Sequence, residues 1–227
     1  MKTCIATLLS LFACTAMASD ISIKETSLGN VYTNNQGMTL YYFDNDKPDH
    51  SVCYDDCEKL WPPLLVTDET TKLSGLTKIQ RKDGKIQWAI NHQPLYLWSK
   101  DQKPGDITGA GVKNIWSIAR ADNVPVDVYT TEKRKLLTNK AKMTLYTFTK
   151  DSDGLSSCND ECAIKWPPLA AQKEDIASAP FSIITRKDGS YQWAYKNKPL
   201  YTWIKDQKPG DITGDNVANA WNLVPLP

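Results

Sequence analysis

Slid against itself by 105 residues, the sequence aligns without a gap. "MTLYYF" at 38 falls on "MTLYTF" at 143, "WPPL" at 61 on "WPPL" at 166, and "RKDG" at 81 on "RKDG" at 186. "DQKPGDITG" at 101 recurs letter for letter at 206. Cys53 and Cys57 fall on Cys158 and Cys162. All eight tryptophans pair, Trp61, Trp88, Trp98 and Trp116 with Trp166, Trp193, Trp203 and Trp221. Such a chain must fold one unit twice. Each copy has about 100 residues, enough for its own core, and two copies make a tandem pair rather than a solenoid. "ISI" at 21 has its counterpart in "VDV" at 126, which puts the break in "ADNVP", between Asp122 and Pro125. The expected organisation is a signal peptide over 1–18, a first repeat over 19–122 and a second over 123–227.

Within one copy the local signals are mostly β. "TLYYF" and "PLYLW" are aromatic and branched runs of strand length. "IQRKDGKIQWAI" reads as strand, Asp83–Gly84 turn, strand, and Asn91–His92 then turns the chain into "PLYLW", giving a three-strand meander. Pro104–Gly105 suits the centre of a type II turn. The one helical signal surrounds the cysteines. Ser51 and Ser156 stand where an N-cap would, Asp55 and Asp56 suit the positive end of the dipole, and Pro62–Pro63 stops it. The fold class expected is mainly β: two tandem homologous small antiparallel β domains, each with one short helix or turn at the Cys-x-x-x-Cys segment.

The first residues carry an export signal. Lys2, an apolar stretch from Cys4 to Ala13, and Ala16 and Ala18 around Met17 follow the layout of a secretory signal peptide cleaved after Ala18. The stretch is short of the roughly 20 apolar residues that a membrane-spanning helix needs. "LFAC", ending at Cys14, offers the alternative of a lipid anchor. The expected location is therefore periplasmic or secreted, with lipid anchoring through Cys14 as the alternative. The chain has 27 Lys+Arg against 26 Asp+Glu, and removing Lys2 leaves it neutral. A neutral chain without a basic run has no long-range attraction for nucleic acid. The partners expected are an envelope protein, a glycan or a small molecule.

Export places the cysteines where thiols oxidise. A thioredoxin-like site needs C-x-x-C at a helix start, whereas the spacing here is C-x-x-x-C, and Asp55, Asp56 and Glu58 oppose a thiolate. A structural zinc site wants four Cys or His ligands. Each copy has two cysteines, and His50 and His92 meet Leu155 and Asn197. In a regular helix the Cβ atoms at i and i+4 lie about 5–6 Å apart, while a disulfide prefers roughly 3.8 Å. A Cys53–Cys57 bond therefore requires an irregular turn. Pairing within each copy, Cys53–Cys57 and Cys158–Cys162, is the simplest connectivity. A thiol–disulfide redox pair and a metal or tetrapyrrole carrier are the competing readings.

Tyr41, Phe43, Trp88, Tyr96 and Trp98 alternate along the expected strands and read as core, with a stacking platform for a flat ligand as the alternative. Asp46, Asp101, Asp151 and Asp206 are expected to brace turns through backbone N–H groups. Calcium is the weaker reading, because Asp44 meets Thr149 and Asp49 meets Gly154. The repeated "DQKPGDITG" loop is the candidate contact surface, through Asp101, Lys103 and Asp106 and their counterparts Asp206, Lys208 and Asp211. No G-x-S-x-G, H-E-x-x-H or P-loop pattern occurs, so no catalytic residue and no cofactor are assigned.

Tyr41-x-Phe43-x-x-Asp46 and Tyr146-x-Phe148-x-x-Asp151 resemble the signature of a bacterial lipoprotein and secreted-repeat family defined by a Tyr-x-aromatic-x-x-Asp motif. The motif recurs at Tyr96, Trp98, Asp101 and at Tyr201, Trp203, Asp206. The resemblance implies an extracytoplasmic repeat protein without an established activity. The function expected is an extracytoplasmic two-repeat binding or scaffolding module of the bacterial envelope, leaning away from an enzyme.

Overall fold

The computed structural model describes residues 20–226, so the signal-peptide and Cys14 readings lie outside the described residues. The first half runs β1 (Ile21–Thr26), β2 (Gly29–Asn34), β3 (Tyr41–Phe43), α1 (Asp56–Leu60), β4 (Leu76–Gln80), β5 (Ile86–Ile90), β6 (Gln93–Pro94) and β7 (Trp116–Ile118). The second repeats it as β8 (Val126–Thr130), β9 (Lys135–Asn139), β10 (Tyr146–Phe148), α2 (Glu161–Lys165), β11 (Ala170–Ala171), β12 (Phe181–Thr185), β13 (Tyr191–Tyr195), β14 (Lys198–Pro199) and β15 (Trp221–Leu223). The architecture is mainly β, in small antiparallel sheets. β1 pairs β2, β3 pairs β7, and β5 lies between β4 and β6. In the second half β8 pairs β9, β10 pairs β15, and β13 lies between β11 and β12 and also pairs β14.

The turn residues account for most of these pairings. Asp83–Gly84 closes the β4–β5 hairpin, with Gly84 at φ 82° and its N–H on the Arg81 carbonyl. Asn91 and His92 both take positive φ, 49° and 67°, as a two-residue turn of the I′ kind demands, and return the chain into β6. The expected "PLYLW" strand divides there. Leu95 still bonds Trp88, but Tyr96 leaves for a mutual pair of backbone bonds with Tyr41, at 2.9 and 3.0 Å. One run thus serves two sheets.

The α1 N-cap differs from the expected one. The helix begins after Asp55, which has φ 54° and makes no side-chain cap bond. Ser51 is too far upstream, and its hydroxyl is taken by Tyr96 and Arg81. Asp160 and Ser156 repeat both features in the second half.

A single apolar cluster crosses from one half to the other. Leu28, Val31 and Ile118 of the first half share it with Val126, Val128, Leu137, Phe181 and Tyr195 of the second. The break itself is fixed in place. Val124 is buried, and Asp122 accepts Arg120 Nε at 2.8 Å, the Asn30 backbone N–H at 2.9 Å and the Ser178 hydroxyl. Across the same junction Asn114 exchanges two bonds with the Thr130 backbone, at 3.0 and 2.6 Å, and the Tyr195 hydroxyl donates to the Ser27 carbonyl.

Because the halves share core and buried charge, the chain should unfold in one transition rather than two. Asp122→Ala should lower its stability by roughly 3–5 kcal/mol, since it leaves the Arg120 guanidinium buried without its acid. Urea unfolding followed by both tryptophan fluorescence and far-ultraviolet circular dichroism checks this, and two separated transitions in the unaltered protein would contradict it.

Candidate functional site

Each half is built around a column of aromatic rings. Phe43 stacks on Trp116 (4.3 Å between centroids), Trp116 on Trp61 (3.7 Å) and Trp61 on Trp98 (4.1 Å). Tyr41 meets Trp61 edge-on and Tyr96 meets Trp116 edge-on, the arrangement that the ring quadrupoles favour. Phe148, Trp221, Trp166 and Trp203 form the same column in the second half, with Tyr146 and Tyr201 at its edges. Of the rings expected to be core, Tyr41, Trp88, Tyr96 and Trp98 are buried, and Phe43 is half-buried at the end of its column. Gly109 and Gly214 exist for this column: a Cβ at either would stand 2.8 Å from the Tyr41 or Tyr146 ring and 2.9 Å from Trp61 or Trp166.

The motif residues bond across the column. The Tyr41 hydroxyl donates to Asp101 at 2.6 Å, and the Tyr96 hydroxyl donates to Asp46 at 2.6 Å. Tyr146 and Tyr201 repeat this with Asp206 and Asp151, at 2.6 and 2.8 Å. Each motif thus gives its tyrosine to the aspartate of the other motif in its half. The other carboxylate oxygen braces a turn as expected: Asp101 accepts the Thr108 N–H and hydroxyl, and Asp46 accepts the Val52 N–H. Burial pushes the Asp46 and Asp101 carboxyls above the usual range, against the pull of their hydrogen bonds. The same burial, with the facing carboxylates, drives the Tyr41 and Tyr96 hydroxyls far above the phenol range, so both stay donors. Asp20 shows the opposite balance. Burial raises it, but bonds from Thr67, Trp88 and the Thr67 and Asp68 backbone outweigh that and leave it lowered.

The cysteines form the two expected staples, Cys53–Cys57 and Cys158–Cys162, each with Cα atoms 5.2 Å apart. The irregular turn they require comes from Asp55 and Asp160, at φ 54° and 50° between the two sulfurs. A buried arginine holds each knuckle to its sheet, and the sequence reading had given it no part. Arg81 donates to Ser51, Gln87, the Cys53 carbonyl and Glu58. Arg186 donates to Ser156, Gln192 and the Cys158 carbonyl. The signal in the sequence is the "RKDG" repeat, whose arginine is kept in both halves beside the Asp–Gly turn. Among the described residues no cluster of three metal-ligating side chains occurs.

The "DQKPGDITG" loop needs correction as a surface. Asp101 and Asp206 are 8% and 7% exposed, because the tyrosine bonds draw them inward. Asp106 and Asp211 are turned onto the loop backbone, accepting the N–H groups of Gln102 and Lys103 and of Gln207 and Lys208. Lys103 and Lys208 are exposed. The first loop also borders a groove of about 430 Å³ at the junction, lined by Leu28, Ile107, Thr108, Ala110, Val128, Lys135 and Leu226. Lys135 closes one side, its ammonium donating to the Thr108 and Ala110 carbonyls at 2.9 and 2.8 Å. Desolvation lowers the pKa of this amine, opposed by the nearby Asp101.

Paired aromatic repeats locked by exchanged tyrosine–aspartate bonds define a class of repeat protein whose unit is half of one lobe. A family model described as "Secreted repeat of unknown function" (Lipoprotein_15) matches residues 22–65, 77–120, 128–170 and 182–224. The chain belongs to this family, and each half holds two of the four matches. An offset of 55 relates the motifs within a half, Tyr41 to Tyr96 and Trp61 to Trp116. No curated protein and no solved structure matches the chain.

Tyr41→Phe should cost about 1–3 kcal/mol by leaving a buried carboxylate short of one donor, and it should raise the Asp101 midpoint further, read by NMR of the side-chain carboxyl carbons. The sign follows from the direction of the shifts. Asp46 and Asp101 sit above the unfolded value of 3.8, so their contribution is fully present below that pH and is lost as pH rises through their folded midpoints. Asp20 acts oppositely, stabilising above 3.8 and losing that contribution as pH falls. Replacing Cys53 and Cys57 by serine should cost roughly 2 kcal/mol by the chain-entropy estimate for a short loop. A reduction potential below about −300 mV would mark the bond as structural, and a value near those of exchange catalysts would restore the redox reading.

Proposed function

We propose that this secreted-repeat protein acts in the bacterial envelope as a binding module, with the junction groove as its ligand site and the two ring-stacked halves as its rigid walls. The observation that carries this reading is the groove itself. At about 430 Å³ it lies in the size range of small-molecule sites, its walls are mainly aliphatic, and it sits where two lobes meet. Lys135 supplies the orienting group. An ammonium has three donors, and the Thr108 and Ala110 carbonyls take two of them. The third suits the head of an apolar ligand that carries an anionic end. Export with cleavage after Ala18, or anchoring through Cys14, would put such a module in contact with envelope lipids and their breakdown products.

Dodecanoate is a suitable probe. It should shift amide signals around Ile107–Ala110, Val128 and Leu226 with one-site saturation. Lys135→Met should weaken dodecanoate by about tenfold, as expected for one charge-assisted hydrogen bond, and leave dodecanol binding unchanged. Absence of saturable shifts with both probes would sink the reading.

A further inference from the structure

The two knuckle arginines are held alike and neutralised differently. Arg81 Nη2 donates both to the Cys53 carbonyl, at 3.0 Å, and to Glu58, at 2.6 Å. Tyr54 covers the guanidinium at 4.4 Å, and Lys85 joins the same carboxylate at 3.2 Å. In the second half the frame is unchanged. Arg186 keeps Ser156, Gln192 and the Cys158 carbonyl, and its side chain is 2% exposed. The aspartate beside Nε is kept, Asp83 as Asp188, but the groups around Nη2 are exchanged: Ala163 stands at the Glu58 position, Asn159 at Tyr54 and Ser190 at Lys85. Arg186 Nη2 is left with the Cys158 carbonyl alone, and the nearest acid, Asp188, is 4.0 Å away and 64% exposed, while Nε lacks a hydrogen-bond partner in both arginines. A buried guanidinium whose one acid is distant and solvent-exposed is weakly neutralised, and its fork matches a carboxylate.

We infer that Arg186 is a carboxylate-binding site whose counterpart at Arg81 is filled within the chain by Glu58, and which in the second half has lost that carboxylate and takes an external one. The rim points to a protein side chain as the source. Ile164, beside Ala163, is 71% exposed where the first half has Lys59, and Leu155, beside Ser156, is 63% exposed where the first half has His50. A glutamate flanked by an aliphatic residue fits that notch, and a free small carboxylate offers the same chemistry without the apolar contact.

The test uses the full chain labelled with ¹⁵N, following the Arg Nε–H signals and the Cys158–Cys162 amides. Acetate, an N-acetylated Ala-Glu-Ile amide and its Gln counterpart are titrated at matched ionic strength. Arg186 should shift saturably with the carboxylate probes and not with the Gln peptide, while Arg81 stays still. Ala163→Glu should weaken the response by about tenfold or more, and Glu58→Ala should make Arg81 respond. A peptide binding more tightly than acetate assigns the site to a protein partner; equal binding assigns it to free carboxylates. Equal shifts at Arg81 and Arg186, no saturable shift, or a response that survives Ala163→Glu overturns the inference.

Discussion

The exchange of hydroxyl and carboxylate between motifs governs the rest of the fold. A carboxylate taken out of water must have its acceptor sites filled, or burying it is prohibitively costly. Asp101 meets that condition with the Thr108 N–H and hydroxyl on one oxygen and the Tyr41 hydroxyl on the other. The tyrosine lies one repeat away from its aspartate, so a solitary repeat would bury both groups unsatisfied. This explains why the repeats come in twos. It also explains the five-residue spacing of the motif: the tyrosine is bonded through its backbone to its counterpart, and the aspartate sits past the turn, where it reaches back over the ring column.

The column turns that pairing into a rigid body. Two tryptophans lie 3° from parallel at its centre, and the tyrosines that carry the hydroxyls press edge-on against them. The glycine ending "DQKPGDITG" lets the loop backbone rest on these rings, with its N–H directed to the Tyr41 hydroxyl. The loop expected as a contact surface is therefore anchored in the core at its two ends, Asp101 and Gly109, with Gln102 and Lys103 exposed between them. Asp106, and Asp211 in the second loop, are occupied in holding the loop's own backbone.

The hairpins, the short helix and the staples were legible because each is written locally. Asp83–Gly84, Asn91–His92 and the C-x-x-x-C spacing state their geometry within a few residues. The tyrosine–aspartate exchange was not, because its partners are 50 and 60 residues apart, and the recurrence of the motif 55 residues on does not say which tyrosine faces which aspartate. Ser51 was assigned to a helix cap because serine before an acidic turn reads that way, yet a hydroxyl within reach of Tyr96 and Arg81 serves the stronger demand of a buried charge. Arg81 and Arg186 are not legible as buried groups, since an arginine next to a turn ordinarily points to water.

The two halves differ where this frame ends. Rings, cysteines, motif aspartates, arginine and glutamine occupy the same positions in both, whereas Asp20, Tyr54, Glu58 and Lys85 are met by Pro125, Asn159, Ala163 and Ser190. A change at a frame position opens a cavity or strands a buried polar group, at a cost that is a large fraction of a small protein's stability. A change at the rim falls mostly within about 0.5 kcal/mol. Trp88 shows the boundary: its indole N–H donates to Asp20 at 2.9 Å, and the equivalent Trp193 keeps its ring in the core while Pro125 replaces the acid. Duplicating such a frame produces two lobes whose interiors are tied to each other and whose outer faces are free to diverge.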